Sequence, residues 1–277
     1  MGNRNNLMND DNIVRLGAVQ LTSKLGNKAA NLDKAEHLLS ELAGRAQIAC
    51  LPEMFNTGYN LDALGDAIFD LAEPIPGETT QRLSAMARQM EMGILAGLVE
   101  RDPHTIGLIY DSVVLFDTHG DLVGRYRKSH LYPAEFQFFR AGHDLPIFEV
   151  DGLRVGIAIC FEHAFPHIFT TLALKGAHVV FNPSAVPVGF SYLQDVRTRA
   201  RAQDNQIYVV AVNHVGQEGE VIYCGQSQVA NPRGEVVTLA SQDTEAAVLA
   251  EISLDLIFDQ RRQEPIFRGF RPELYEP

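Results

Sequence analysis

Two hydrophobic periods take turns along this chain. Short apolar runs over residues 13–20 and 48–51 predict strands, and between them Leu32, Ala35, Leu38, Leu39 and Leu42 recur at the spacing of one helix face. Leu83, Met86, Ala87 and Met90 predict a second helix. Strands are then expected over 93–99, 112–116 and 122–126, the last two joined by the turn Asp117-Thr118-His119-Gly120. The first half therefore reads βαβαβ plus a hairpin. The second half repeats that order, with strands over 154–159, 178–181 and 207–212, helices over 169–175 and 192–205, and further strands over 226–230, 235–239 and 246–252. Two halves alike in element order predict an α/β fold in which two mixed sheets pack face to face with helices outside.

Residues 13–258 are expected to form this domain. Residues 1–12, rich in Asn and Asp, read as a flexible N-terminal segment, and residues 259–277, with several Arg and Pro, as a tail lying on its own surface or a partner subunit's. With 277 residues, 46% of them apolar, the chain can bury a large core. A formal net charge of -12 without a dense basic cluster argues against nucleic acid and anionic membranes as partners. Three scattered cysteines form no disulfide framework. The first dozen residues lack the apolar core of a signal peptide, and no apolar run reaches membrane-spanning length, so a cytoplasmic protein is expected.

Reactive groups of α/β folds gather where strands end and loops converge. The apolar run 48–51 ends in Pro52-Glu53, the run 155–159 in Cys160-Phe161-Glu162, the run 179–181 in Asn182-Pro183-Ser184, and the hairpin in Tyr126-Arg127-Lys128. Singly, each has an ordinary explanation: Glu53 as a strand-end cap, Lys128 as a solvated charge, Cys160 as a small buried apolar residue. Together they supply a thiol, a carboxylate and an ammonium, the set that amide hydrolysis by a thiol requires.

These segments resemble the nitrilase superfamily of carbon-nitrogen hydrolases from about Val14 to Tyr275. The resemblance rests on Leu51-Pro52-Glu53-Met54-Phe55, on Tyr126-Arg127-Lys128-Ser129-His130-Leu131 with Glu135 following, on Gly156-Ile157-Ala158-Ile159-Cys160 with Phe165-Pro166, and on Asn182-Pro183-Ser184. It implies a four-layer αββα sandwich with an internal pseudo-two-fold, a catalytic Glu53-Lys128-Cys160 triad with Glu135 as second carboxylate, no cofactor, and a homodimer or higher homo-oligomer assembled through helices flanking the site. Phe161, Glu162, Asn182 and Tyr59 are the expected substrate-binding residues. Glu162 and His167 stand where many amidases of the family have Asp and Glu, so linear carboxamides, N-carbamoyl amines and nitriles all remain candidate substrates.

Three other chemistries deserve comparison. His163 and His167 could hold a metal or serve Cys160 as base, but no third ligand has a diagnostic spacing and Pro166 interrupts the turn between them. Gly225-Gln226-Ser227-Gln228-Val229 lacks the second glycine of a serine nucleophile elbow. A noncatalytic scaffold is opposed by retention of all four polar site residues. No arginine follows Cys160 closely enough to clamp a substrate carboxylate, and Phe161, Phe165, Phe136, Phe138 and Phe139 predict an aromatic-lined mouth.

Overall fold

The structure, a computed structural model, describes residues 12–275, so the expected flexible segment 1–12 lies outside the described residues except for Asn12. The first half runs β1 (Ile13–Gln20), α1 (Lys28–Ser40), β2 (Ile48–Cys50), short helices α2 (Leu61–Leu64) and α3 (Ala67–Leu71), α4 (Glu78–Met90), β3 (Gly93–Arg101), β4 (Ile109–Phe116) and β5 (Leu122–Arg127). The second half runs β6 (Phe148–Val150), β7 (Leu153–Ile157), α5 (Pro166–Leu174), β8 (Val179–Ser184), α6 (Ser191–Asn205) and β9 (Tyr208–Asn213). There follow β10 (Val215–Glu218), β11 (Val221–Cys224), β12 (Gln228–Ala230), β13 (Val236–Leu239), β14 (Ala246–Ser253), α7 (Leu254–Gln263) and α8 (Ile266–Gly269).

Two six-stranded sheets result, ordered β14-β1-β2-β3-β4-β5 and β13-β12-β9-β8-β7-β6. In the first, the β1–β2 and β2–β3 pairings are parallel and the β14–β1, β3–β4 and β4–β5 pairings antiparallel. In the second, the β7–β8 and β8–β9 pairings are parallel and the β6–β7, β9–β12 and β12–β13 pairings antiparallel. The two orders superpose strand for strand when β14 is matched with β6, which is the pseudo-two-fold in topological form.

Period-two alternation builds the layers. On β1, Val14, Leu16 and Ala18 face the other sheet and join Ile157, Phe181 and Val210 in one core, while Val19 turns outward to α1 and α4 with Leu39, Leu83 and Ala87. On the far side, Ala158, Val180 and Val209 meet Phe169, Leu172 and Ala202 of α5 and α6. The αββα sandwich is thus three apolar seams between four layers.

Four features depart from the sequence reading. The short helices α2 and α3, the three-residue strand β6 and the hairpin β10–β11 are too short to show a period, yet the hairpin matters because it covers the pocket described below. The helix expected at 169 begins at Pro166, where proline's fixed φ suits a first helical turn. The boundary placed after 258 falls inside α7, which buries Ile257. Beyond α7, the backbone oxygen of Glu264 accepts Gln206 Nε2 at 2.7 Å, so this part of the tail packs on its own chain. No helix among the described residues is long and apolar enough to cross a membrane.

Candidate active site

Cys160 stands just past β7, where the backbone takes φ +43° and turns into the 3-10 segment Cys160–Ala164. A non-glycine residue in that region is strained and persists only when its surroundings hold it. Here the holding groups are identifiable. Asn182 Nδ2, at the end of β8, donates to the carbonyl of Ala158 at 2.6 Å and lies 3.4 Å from that of Cys160. Glu162 accepts the N–H groups of Ile159 at 2.6 Å and Ser129 at 2.8 Å and the hydroxyl of Tyr126 at 2.6 Å.

The loop after β2 brings in Glu53. It passes so close to β3 that a Cβ on Gly97 would stand 2.6 Å from the Pro52 carbonyl oxygen and 2.7 Å from Glu53 Cα, which is why residue 97 has none. His214 Nε2 donates to the Glu53 carbonyl at 2.6 Å. Lys128 follows β5 with its backbone N–H on the carbonyl of Asp111, and its Nζ lies 2.6 Å from Glu53 Oε1 and 2.6 Å from Glu135 Oε1. Glu135, from the turn Pro133–Glu135, also accepts Tyr59 Oη at 2.5 Å and the Tyr132 N–H at 2.9 Å. All three charged side chains are fully buried.

A third carboxylate completes the cluster. Asp111 Oδ2 on β4 lies 3.3 Å from Lys128 Nζ and is likewise fully buried. The sequence reading missed it by starting that strand at Ser112; an acidic residue continuing the apolar run into Val113 and Val114 was the available signal. Carboxylate oxygens of Glu53, Asp111 and Glu135 lie within 4.8 Å of one another, a donor set that could hold a cation, and the Lys128 ammonium stands among them in that part. His163 and His167 are not in that cluster: His163 is buried at the pocket and His167 is exposed on α5.

Burial pushes the Glu53 carboxyl well up, Lys128 opposes this, and the neighbouring Asp111 and Glu135 push it up further. Asp111 rises to about 6, chiefly through burial, against the pull of Lys128. Burial alone would push Lys128 down, but Glu135, Glu53 and Asp111 more than offset it, and the ammonium is held charged. The Cys160 thiol is pushed well up by burial and by the Glu53 charge, with Lys128 and the Ala185 backbone N–H acting the other way. A thiol in that setting rests protonated and needs a base at the moment of attack.

Cys160 opens into a cavity of about 280 Å³, whose wall includes Tyr59, Tyr132, Phe161, Phe190 and Tyr223. Tyr59 and Phe161 are therefore on the pocket wall. Glu162 and Asn182 do not line it: both are buried, Asn182 holding the backbone before Cys160 and Glu162 the Ile159 and Ser129 N–H groups together with the Tyr126 hydroxyl. The aromatic mouth is also narrower than expected. Phe165 packs edge-on behind Phe161 at 5.4 Å, Phe138 and Phe139 pack against the Met54 and Leu61 cluster, and Phe136 is exposed off the pocket. An arginine does reach the wall, contrary to the sequence reading: Arg197 comes from α6, beside His163. Burial, with Arg197 and Arg201, holds that imidazole down at about 3, so it is neutral at ordinary pH.

The carbon-nitrogen hydrolase family model matches residues 15–262. A protein from Pyrococcus abyssi named nitrilase is 35% identical, over 95% of this chain and 99% of its own. Omega-amidase NIT2 of Danio rerio is 34% identical, over 94% of this chain and 96% of its own. The crystal structure of a carbon-nitrogen hydrolase from Helicobacter pylori superposes with a TM-score of 0.89 at 25% identity, covering 96% of this chain and 97% of that one. A family match over nearly the whole domain, on the same fold, makes this chain a carbon-nitrogen hydrolase enzyme belonging to the nitrilase superfamily.

Proposed function

We propose that the protein is an amidase that cleaves small linear carboxamides to a carboxylic acid and ammonia through a thioester on Cys160. The observation that carries this reading is the placement of a thiol on the wall of an open pocket, within the electrostatic reach of the Glu53–Lys128–Glu135 cluster. Glu53 Oε2 has no hydrogen-bond partner among the described residues, so a carboxylate oxygen is free to take a proton. In the first step the Cys160 proton goes to Glu53 as sulfur bonds the amide carbon and the carbonyl oxygen becomes an oxyanion. Lys128 and the backbone N–H of Phe161 receive that charge; one such donor lowers a barrier by roughly 3–4 kcal/mol. Glu53 returns the proton to the leaving nitrogen as the C–N bond breaks. Water, giving a proton to the same carboxylate, then attacks the thioester, and as the C–S bond breaks Glu53 passes that proton to the departing Cys160 sulfur.

The pocket wall narrows the substrate. Arg197 has no ion-pair partner among the described residues, and His163 Nδ1 is buried without one. The wall is largely aromatic and aliphatic, with Asn60 and Asp62 as its other polar side chains, and an unpaired guanidinium beside a neutral imidazole there suits an amide whose far end is a carboxylate. The test is ammonia release from matched amides with and without such an end, alongside Cys160→Ala. Turnover should favour the carboxylated amides and vanish in Cys160→Ala with the fold retained; undiminished turnover in that variant would overturn the assignment of the nucleophile.

A further inference from the structure

Around Lys128 the charges do not balance. An ammonium has three N–H bonds, and here two point at Glu53 and Glu135 at 2.6 Å; Asp111 Oδ2 lies 3.3 Å away as an ion-pair neighbour without hydrogen-bond geometry. Glu135 is fully provided for, since Tyr59 and the Tyr132 N–H also donate to it. Glu53 Oε2 and both oxygens of Asp111 have no donor among the described residues. Were all three carboxyls ionised, one positive charge would face three negative ones at zero exposure, with desolvated oxygens unsatisfied. One proton between Glu53 and Asp111 eases both faults. It neutralises one of the three negative charges and supplies a donor between two carboxyls that have oxygens within 4.8 Å of each other.

Building on the proposed role of Glu53, we infer that Asp111 is a positioning residue that shares a single proton with Glu53 and thereby sets when Glu53 can act as base. The groups facing the pair are Lys128 from the end of β5, Glu135 from its turn, Tyr59 from the loop before α2, and Cys160 from the end of β7. When the shared proton lies on Asp111, Glu53 Oε2 is a free base for the thiol. As that proton and the Cys160 proton are then both held, the Glu53–Asp111 pair is neutral and the oxyanion carries the charge. Return of one proton to the leaving nitrogen restores the singly protonated pair, so the cycle balances. Burial and the charge of Glu135 raise both carboxyls, Asp111 raises Glu53 further, and a hydrogen bond with Glu53 pulls Asp111 the other way, so the two carboxyls are held apart in proton affinity.

Two measurements on the whole protein test this. The first needs neither substrate nor turnover: infrared spectra across pH should show a buried protonated carboxyl in the wild type and in Cys160→Ala at neutral pH, absent in Asp111→Asn. The second is the pH dependence of kcat/KM. Losing the negative neighbour lowers the proton affinity of Glu53, so the acid limb of Asp111→Asn should move down by about one to two pH units. Asp111→Ser serves if the Asn variant does not fold, and should show the same shift. A wild type with no protonated carboxyl at neutral pH, or an acid limb unmoved in a folded variant, overturns the shared proton. Should Cys160→Ala keep its activity while the infrared band behaves as described, the functional reading fails and the shared proton stands.

Discussion

Glu162 accepts the backbone N–H of Ser129 at 2.8 Å, tying the turn that begins at Cys160 to the residue immediately after Lys128. The same carboxylate holds the Ile159 N–H at 2.6 Å, so it is a strut between the thiol and the ammonium. Glu162→Ala would leave several buried donors unpaired, each costing about 1–3 kcal/mol. We expect a lower melting temperature and a kcat reduced more than about tenfold, since small misplacements of reacting groups are expensive. Glu162→Gln, which keeps one acceptor, should recover part of both. Wild-type kcat in a folded Glu162→Ala protein would contradict the strut.

Glu218 gives the pocket hairpin a pH-dependent anchor. Burial pushes its carboxyl up, but His214 at 3.1 Å and the N–H groups of Tyr59 and Ser23 more than offset this and hold it below the ordinary range. A depressed carboxyl stabilises the fold above its unfolded value of about 4.3, and that contribution is lost as pH falls through the lower folded value. Glu218→Gln should therefore be less stable than the wild type at neutral pH, with the difference closing in acid. Denaturant unfolding at several pH values measures this, and a difference independent of pH would refute it.

Arg197→Gln should discriminate among substrates. If the guanidinium meets a carboxylate at the far end of the substrate, the variant loses roughly 10- to 100-fold in kcat/KM on carboxylated amides, mostly in KM, as expected for a lost charge-assisted contact of about 1.5–3 kcal/mol. Neutral amides of the same length should be nearly unaffected. Equal losses on both would make Arg197 a support of the wall.

The residues legible in the sequence share one property: Glu53 and Cys160 each end an apolar run and Lys128 ends a hairpin strand, so the strand that predicts each also fixes its place in the fold. Asp111 lacks that mark because it lies within its strand, where only the register of β4 against β5 shows that it faces Lys128. Arg197 is invisible for a different reason, since its approach to Cys160 depends on how α6 packs over the second sheet. A polar side chain next to a nucleophile can serve the substrate or the backbone, and the turn held at φ +43° engages both Glu162 and Asn182. The hairpin β10–β11 is too short to show a period, though it brings Tyr223 to the pocket wall.

The outward face of α6 predicts self-association. Tyr192 and Val196, one turn apart, are 63% and 58% exposed, and Val188 and Phe190 just before the helix are also exposed, as is Leu174 at the end of α5. A cluster of large apolar side chains in water is the usual mark of an interface, and a self-complementary two-fold contact is the default for one chain. The neighbouring flank of α6 carries Leu193 and Arg197 to the pocket, so holding the helix from outside also holds the pocket wall. We therefore expect a dimer in which Val196→Asp, a change at an exposed position with no internal packing to lose, shifts the protein to monomer and lowers kcat/KM in step. This substitution is a cleaner probe than truncating the tail at residue 259, which would cut through α7. Sedimentation equilibrium with parallel assays decides the matter: a wild type that stays monomeric at micromolar concentration leaves the apolar face without the second copy, and a monomeric Val196→Asp with full activity separates assembly from the site.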